Sequence, residues 1–346
     1  MDKLRVGIIG TGGIAQSVHI PGYQKLEDVE VVACCDILPE RVEEGKSKFG
    51  IPTGYLDYTE MLAKEKLDIV SVCTPNYRHM APTLAALEAG CNVLTEKPIA
   101  VNAVEGQKMV DTAKKVGKKF CVGLNNRQTS EAQALKRAID AGELGEMYFA
   151  RAQALRRRGI PGWGVFGEKD KQGGGPLIDI GVHILDLTLW LMGHPKPIAV
   201  SGQTYQKFGK REGIVGLFGQ WNRETFTVED FAVGLVRFDN GATLVLESSF
   251  AANLENDIFS TQIMGTEGGC TLAPCRIYTE RNMTLLDTSP AHLPNIGTHA
   301  ENIRKFVEAV KTDGEVPVPG EQALMVTKIL DAIYASAEAG KEVPVA

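Results

Sequence analysis

The chain has 346 residues, 44% hydrophobic, 23% charged and 7% aromatic, with a formal net charge of −6. That length exceeds what one simple core holds and predicts two domains. The acidic balance leaves no broad electropositive surface for nucleic acid, no apolar stretch is expected to span a bilayer, and the N-terminus enters a strand with no cleavable signal.

The first element is Leu4–Ile9, an apolar strand followed by Gly10-Thr11-Gly12-Gly13-Ile14-Ala15 and a helix. Strand, glycine turn and helix in that order suit a dinucleotide. Gly10 permits the tight turn, Gly12 lets the backbone approach a pyrophosphate, and Ala15 is small enough for helix–strand packing. Amides at the helix start then face the phosphates. The next strand, Glu30–Asp36, ends on an acid placed to bind the adenosine ribose hydroxyls. Asp36 would repel a 2′-phosphate and favours NAD over NADP, although Arg41 partly offsets that charge.

Helices are predicted at Pro39–Phe49, His79–Ala89 and Ala103–Val116, alternating with strands at Asp68–Cys73, Asn92–Thr95 and Lys119–Gly123. This alternation predicts a doubly wound parallel sheet over residues 1–124, with ligands at the carboxyl ends of its strands. Three polar segments follow such ends: Cys73-Thr74-Pro75-Asn76, Thr95-Glu96-Lys97-Pro98 and Gly123-Leu124-Asn125-Asn126-Arg127. Lys97 is held extended by Pro98, with a cis bond between them possible.

The remainder, 125–346, reads as an α+β domain. A helix at Ser130–Ala141 and a strand at Glu146–Leu155 lead into a glycine-rich loop and a very apolar helix from Pro176 to Met192. Strands at Ile198–Gln206, Thr225–Phe238, Ala242–Phe250 and Ile258–Met264 follow without intervening helices, and Asp239-Asn240-Gly241 marks a hairpin between two of them. The sheet is therefore expected to be mainly antiparallel with one open face. Closing helices near 299–339 are expected to pack back on the first domain.

Within the apolar helix, Asp179, His183, Asp186 and Trp190 recur at helical spacing on one narrow face. A buried carboxylate must be paired, so this face meets either a structural Asp–His network or a cleft where an imidazole works on a substrate hydroxyl. Arg156-Arg157-Arg158 and Trp163 lie in the preceding loop. A Trp face suits the apolar side of a pyranose and arginines suit hydroxyls or an anion; a plain loop anchor is the equal alternative for Trp163. The seven cysteines form no CxxC pair and read as reduced thiols of a cytoplasmic protein, with a Cys270–Cys275 disulfide the lesser reading. No His/Cys/Glu cluster has metal-ligand spacing, so no metal is expected.

Together, Gly10-Thr11-Gly12-Gly13-Ile14-Ala15, Glu96-Lys97-Pro98, and Gly173-Gly174-Gly175 leading to Asp179-x-Gly181-x-His183-x-x-Asp186 resemble the Gfo/Idh/MocA family. That family includes glucose–fructose oxidoreductase and inositol 2-dehydrogenase, and the resemblance covers almost the whole chain. It implies a catalytic cluster of Lys97, Asp179 and His183. It also implies cofactor contacts from Gly10, Thr11, Gly12, Gly13, Ile14, Asp36, Arg41, Thr74, Pro75, Asn76, His79, Glu96 and Lys97, with Arg127 near nicotinamide and substrate. Arg156, Trp163, Asp179 and His183 join Lys97 and Arg127 as substrate-binding candidates. The arginine and tryptophan loop is not a general family motif. The resemblance further implies a homodimer or homotetramer through the open sheet face. The expected reaction is reversible oxidation of a secondary hydroxyl of a sugar, glycoside or cyclitol with NAD. Two alternatives stand beside it: an NAD-dependent glycosidase working through transient sugar oxidation, and a non-catalytic NAD-binding regulatory sensor.

Overall fold

The structure is a computed structural model describing residues Lys3–Val345. The chain divides into two compact units. One comprises the chain up to Asn125 together with Gly297–Leu324, and the other Asn126–Ile296 together with the chain from Met325 onward.

In the first unit, six parallel strands form one sheet: β1 (Leu4–Ile9), β2 (Val29–Cys35), β3 (Thr53–Tyr55), β4 (Ile69–Val72), β5 (Asn92–Thr95) and β6 (Phe120–Val122), in the order β3-β2-β1-β4-β5-β6. Their residues are almost continuously buried, as helices covering both faces require. The order reverses direction at β1, which pairs with β2 on one side and β4 on the other. Open α/β sheets bind ligands beyond the strand ends at such a switch point, and Gly10 stands there. The strand β3 and the helix Tyr58–Lys64 are additional to the elements predicted from the sequence. The returning segment Gly297–Leu324 contributes the helix Thr298–Thr312, which packs on the helix Ile20–Gln24. It also covers the β6 edge, where the Val122 amide donates to the Val318 carbonyl.

The second unit is built on nine strands: β7 (Met147–Leu155), β8 (Pro197–Tyr205), β9 (Phe231–Phe238), β10 (Thr243–Ser249), β11 (Ile258–Gly265), β12 (Gly268–Thr271), β13 (Arg276–Arg281), β14 (Thr284–Thr288) and β15 (Val343–Pro344). Their order is β14-β13-β12-β11-β7-β10-β9-β8-β15. All neighbours are antiparallel except β7 and β10. Burial alternates along β9 and β10, so one face is packed and the other open. Helix Val182–Leu191 packs on β7 and β11. The open face carries Val233, Leu235 and Val245 with the Arg151–Glu247 ion pair at 2.8 Å.

Three expectations change here. The strand predicted at Thr225–Phe238 begins only at Phe231. The residues before it belong to a long loop gathered by the Asp230 carboxylate, whose Oδ2 accepts from the Lys207, Phe208 and Gly209 amides at 2.7, 2.5 and 2.9 Å. The predicted α-helix from Pro176 starts instead with a π-helical turn, Leu177–Gly181, before Val182–Leu191 continues as α. The stretch Lys169–Leu191, counted through the bend at Gly173–Gly175, is long and apolar enough to cross a membrane, contrary to the sequence reading, yet 89% of its most apolar window is buried. It is a core helix by packing.

Arg127 and Asp186 also take a different place from the one expected. Each side chain is 1% exposed. The guanidinium grips the carboxylate with two bonds, Nε to Oδ2 at 2.8 Å and Nη2 to Oδ1 at 2.5 Å. A side chain so enclosed presents almost no surface to nicotinamide or sugar. The pair instead ties the start of the second unit to its central helix. Breaking a buried pair strands one charge, whereas replacing both partners by apolar groups is often neutral. Asp186→Ala is therefore expected to cost about 3–5 kcal/mol of stability. The double variant Arg127→Met/Asp186→Leu should recover most of that loss in urea unfolding. Equal stability of Asp186→Ala and wild type would contradict the structural assignment.

Candidate active site

The glycine turn meets its steric requirement. Gly10 has φ +88°, and a Cβ there would stand 2.9 Å from the Cys73 backbone, so a side chain is excluded on both grounds. At Gly12 and Gly13 a Cβ would meet nothing within 4 Å. The backbone is therefore open to approach where the pyrophosphate of a dinucleotide belongs. The helix entered from this turn has a π-helical stretch, Ala15–His19, with Ala15 fully buried and Ile14 half-buried. Asp36 lies just past β2. Its Oδ2 accepts from the Thr11 amide at 2.9 Å and its Oδ1 from the Leu38 amide at 3.0 Å. The acid is thus fixed beside the turn, while Thr11 is itself buried. Arg41 leans on Glu44 at 3.2 Å with its side chain 42% exposed. Turn, open backbone and fixed acid fit NAD.

The β5 end holds the lysine turn. The Lys97–Pro98 bond is cis, and Lys97 is half-buried. His79, expected as a cofactor contact, is 1% exposed and fastens two strand-end turns instead. Its Nδ1 lies 2.7 Å from the Pro98 carbonyl and its Nε2 2.8 Å from the Thr74 carbonyl. Burial lowers its pKa, while the Pro98 and Thr74 carbonyls, both acceptors, favour the charged ring. Thr74 is half-buried with its hydroxyl on the Arg78 carbonyl, while Pro75 is exposed and Asn76 half-buried at the strand-end surface.

Glu96 also departs from its expected role. It is 8% exposed and turned into the protein. Its Oε1 lies 2.8 Å from His19 Nε2 and its Oε2 accepts from the Lys97 amide at 3.2 Å. His19 Nδ1 is 3.0 Å from Ser71 Oγ, which lies 2.9 Å from the Tyr23 hydroxyl. Burial opposes charge on His19, but Cys73 and Glu96 outweigh it and raise the ring to about 10. Burial opposes charge on Glu96 too, and the His19 contact wins, drawing the carboxyl down to about 2. A buried ion pair thus underlies the lysine turn. Nothing local in the chain marks His19, which lies on a helix 77 residues from its partner.

In the second unit, Asp179 sits in the π turn, 6% exposed, with Arg156 Nη1 3.7 Å from its Oδ2. His183 follows on the α-helical part, half-buried, and Trp190 lies under the Lys136 ammonium, 5.7 Å from its ring centre. The helix start is held by Glu229, a residue the sequence reading missed. Its carboxylate accepts from the Gly175 amide at 2.9 Å, the Leu177 amide at 3.2 Å and the Tyr334 hydroxyl at 2.9 Å. The glycines before Pro176 make this possible. A Cβ at Gly174 would lie 2.0 Å from the Tyr334 hydroxyl, and one at Gly175 2.1 Å from the Glu229 carbonyl. Trp163 is 59% exposed.

Comparison with known proteins bears on both units. Residues 4–124 match the oxidoreductase family with an NAD-binding Rossmann fold, and residues 132–271 match the GFO/IDH/MocA C-terminal domain. The chain belongs to the Gfo/Idh/MocA oxidoreductase family. This family member is 39% identical over 343 residues to D-glucoside 3-dehydrogenase of Escherichia coli (strain K12), covering 99% of this chain and 97% of that one. Its structure is similar to that of an oxidoreductase domain protein from Kribbella flavida, with a TM-score of 0.88 and 25% identity over 100% of both chains. It also resembles levoglucosan dehydrogenase in complex with NADH and L-sorbose, with a TM-score of 0.85 and 25% identity over 100% of both chains. Like its family, this oxidoreductase uses NAD, and its first unit is the NAD-binding fold.

The ion pair sets a pH signature for the Gfo/Idh/MocA fold here. Glu96, depressed from 4.5 to about 2, contributes stability present above pH 4.5 and lost as pH falls toward 2. His19, raised from 6.5 to about 10, contributes stability complete below pH 6.5 and lost as pH rises through 10. The melting temperature should therefore fall between pH 7 and 10, and His19→Gln should flatten that alkaline limb. An unchanged alkaline loss in the variant would contradict the charged state of His19.

Proposed function

We propose that the protein oxidises a ring secondary hydroxyl of a glucoside-type sugar to a ketone, reversibly and with NAD. The observation that carries this reading is the match to D-glucoside 3-dehydrogenase over 99% of the chain, in a sequence where Lys97, Asp179 and His183 are all present.

NAD, when bound, supplies the acceptor for the hydride leaving the carbinol carbon. Gly10, Gly12, Gly13 and Asp36 would hold it, and Thr11, Ile14, Arg41, Thr74, Pro75 and Asn76 would complete the site. His183 takes the hydroxyl proton as general base, and Lys97 donates to the same oxygen as negative charge develops on it. Asp179 orients the imidazole and binds a substrate hydroxyl, with Arg156 at 3.7 Å balancing its charge. Glu96, His79 and His19 fix the turn that carries Lys97, and none of them needs to touch the substrate.

Six of seven free cysteines are buried, which supports a reducing, cytoplasmic location. The open sheet face, with Val233, Leu235 and Val245 half-exposed, supports a homodimer or homotetramer formed there. Light scattering should therefore report a multiple of the chain mass, and Leu235→Arg should shift it toward monomer. A monomeric wild type would overturn this part.

Activity is tested by NADH formation with methyl glucosides, free glucose and myo-inositol. Positioned acid–base groups contribute about 10²–10⁴-fold to rate. Lys97→Ala and His183→Ala should each lower kcat by about that factor while the Kd for NAD changes by less than about threefold, around 0.6 kcal/mol. Near-normal turnover in both would remove the assigned roles. Release of aglycone without NADH accumulation would point to the glycosidase reading.

A further inference from the structure

Just beyond β7, two loops of the second unit build an aromatic surface that the proposed chemistry does not use. The segment 156–164 is pinned to the end of β10. Arg156 N donates to the Ser249 carbonyl at 3.0 Å, and Gly159 N to that of Phe250 at 2.7 Å. The loop before β9 is laced onto that segment, with Leu217 N on the Arg158 carbonyl at 3.0 Å and Gly162 N on the Phe218 carbonyl at 2.9 Å. Trp221, nearly buried, donates from Nε1 to the Gly209 carbonyl at 2.7 Å and anchors the loop from inside.

On this frame Trp163 stacks on Phe218, with centroids 6.1 Å apart and planes 25° apart, and meets the edge of Phe166 at 6.3 Å. Trp163 is 59% exposed and Phe218 36%. Two large aromatics are thus kept partly exposed on a frame of backbone hydrogen bonds. The connection to the site runs through one side chain. The Arg156 guanidinium lies over Phe218 at 5.1 Å and over Phe250 at 5.7 Å, and its Nη1 reaches 3.7 Å from Asp179.

We propose that Trp163 and Phe218 form a shelf for the flat, ring-shaped substituent of a glycoside, so that the substrate is a substituted sugar. This rests on the reading of Asp179 and His183 as the groups that receive the sugar. The reacting hydroxyl is held at Asp179, and the shelf lies beyond Arg156, on the outer side of the sugar. An aromatic face accepts an aryl group by stacking, and the C–H face of a second sugar ring by apolar contact. The charged Arg156 between them binds the hydroxyls of the first ring.

The test compares kcat/KM for free glucose, methyl glucosides, phenyl glucosides of the same anomeric configuration, and a glucosyl disaccharide. The wild type should prefer phenyl to methyl glucoside by about fivefold or more, a difference of about 1 kcal/mol. Trp163→Ala and Phe218→Ala should each lower the phenyl-to-methyl ratio by about 3–10-fold, chiefly through KM, and Trp163→Phe should restore much of it. The ratio within one variant does not depend on how much of the protein folds. Loss of the disaccharide preference instead of the phenyl preference identifies a second sugar ring as the natural occupant of the same shelf. Ratios unmoved in both variants overturn the proposal, as does a change in oligomer mass with unchanged ratios, which assigns the surface to a second copy of the chain. Failure of the wild type to oxidise any methyl glucoside overturns the underlying function, and is read before any variant.

Discussion

The contact on which the first unit's chemistry depends is the buried His19–Glu96 pair beneath the cis Lys97–Pro98 turn. Bringing two charges into an interior carries a desolvation penalty that good geometry and further hydrogen bonds must offset. Here Ser71 completes the imidazole's bonding and the Lys97 amide completes the carboxylate's. The return on that penalty is positional. One carboxylate joins the helix from the glycine turn to the turn after β5, and His79 joins that turn to the one after β4. The three strand ends around the topological switch point are thereby linked by side chains.

The second unit solves a related problem with a different device. The helix bearing Asp179 and His183 must start at a fixed place, although its N-terminal amides have no partners of their own. Glu229 accepts from two of the backbone amides at that start, and Tyr334 braces the acceptor. Burial pushes the Glu229 carboxyl above its ordinary range while those bonds pull it back. The π turn that follows carries Asp179; such single turns recur where a helix is deformed for function.

Much of this was legible in the sequence because it is local. The strand–glycine–helix order, the acid after β2, the Glu96-Lys97-Pro98 turn and the alternating pattern of β9 and β10 each depend on neighbours within a few residues. What stayed hidden depends on pairs distant in sequence. His19 and Glu96 are 77 residues apart, Arg127 and Asp186 59, Gly175 and Glu229 54. A carboxylate on a helical face announces that it needs a partner, but not which one. Asp179 and Asp186 therefore look alike in sequence, while the first, buried, meets a partly exposed Arg156 and the second is enclosed with Arg127. Likewise, Thr225–Phe238 reads as one strand by a pattern that ignores Asp230, whose carboxylate draws the chain before it into a loop.

The central claim is that this fold carries hydride from a sugar carbon to NAD, with Lys97 and His183 handling the oxygen and its proton. Incubation of the protein with NAD and a ring-deuterated methyl glucoside, followed by NMR of the recovered nucleotide, tests this most directly. The account predicts deuterium on the reduced nicotinamide ring together with a ketone in the sugar ring. Unlabelled nucleotide alongside an unchanged sugar would contradict it.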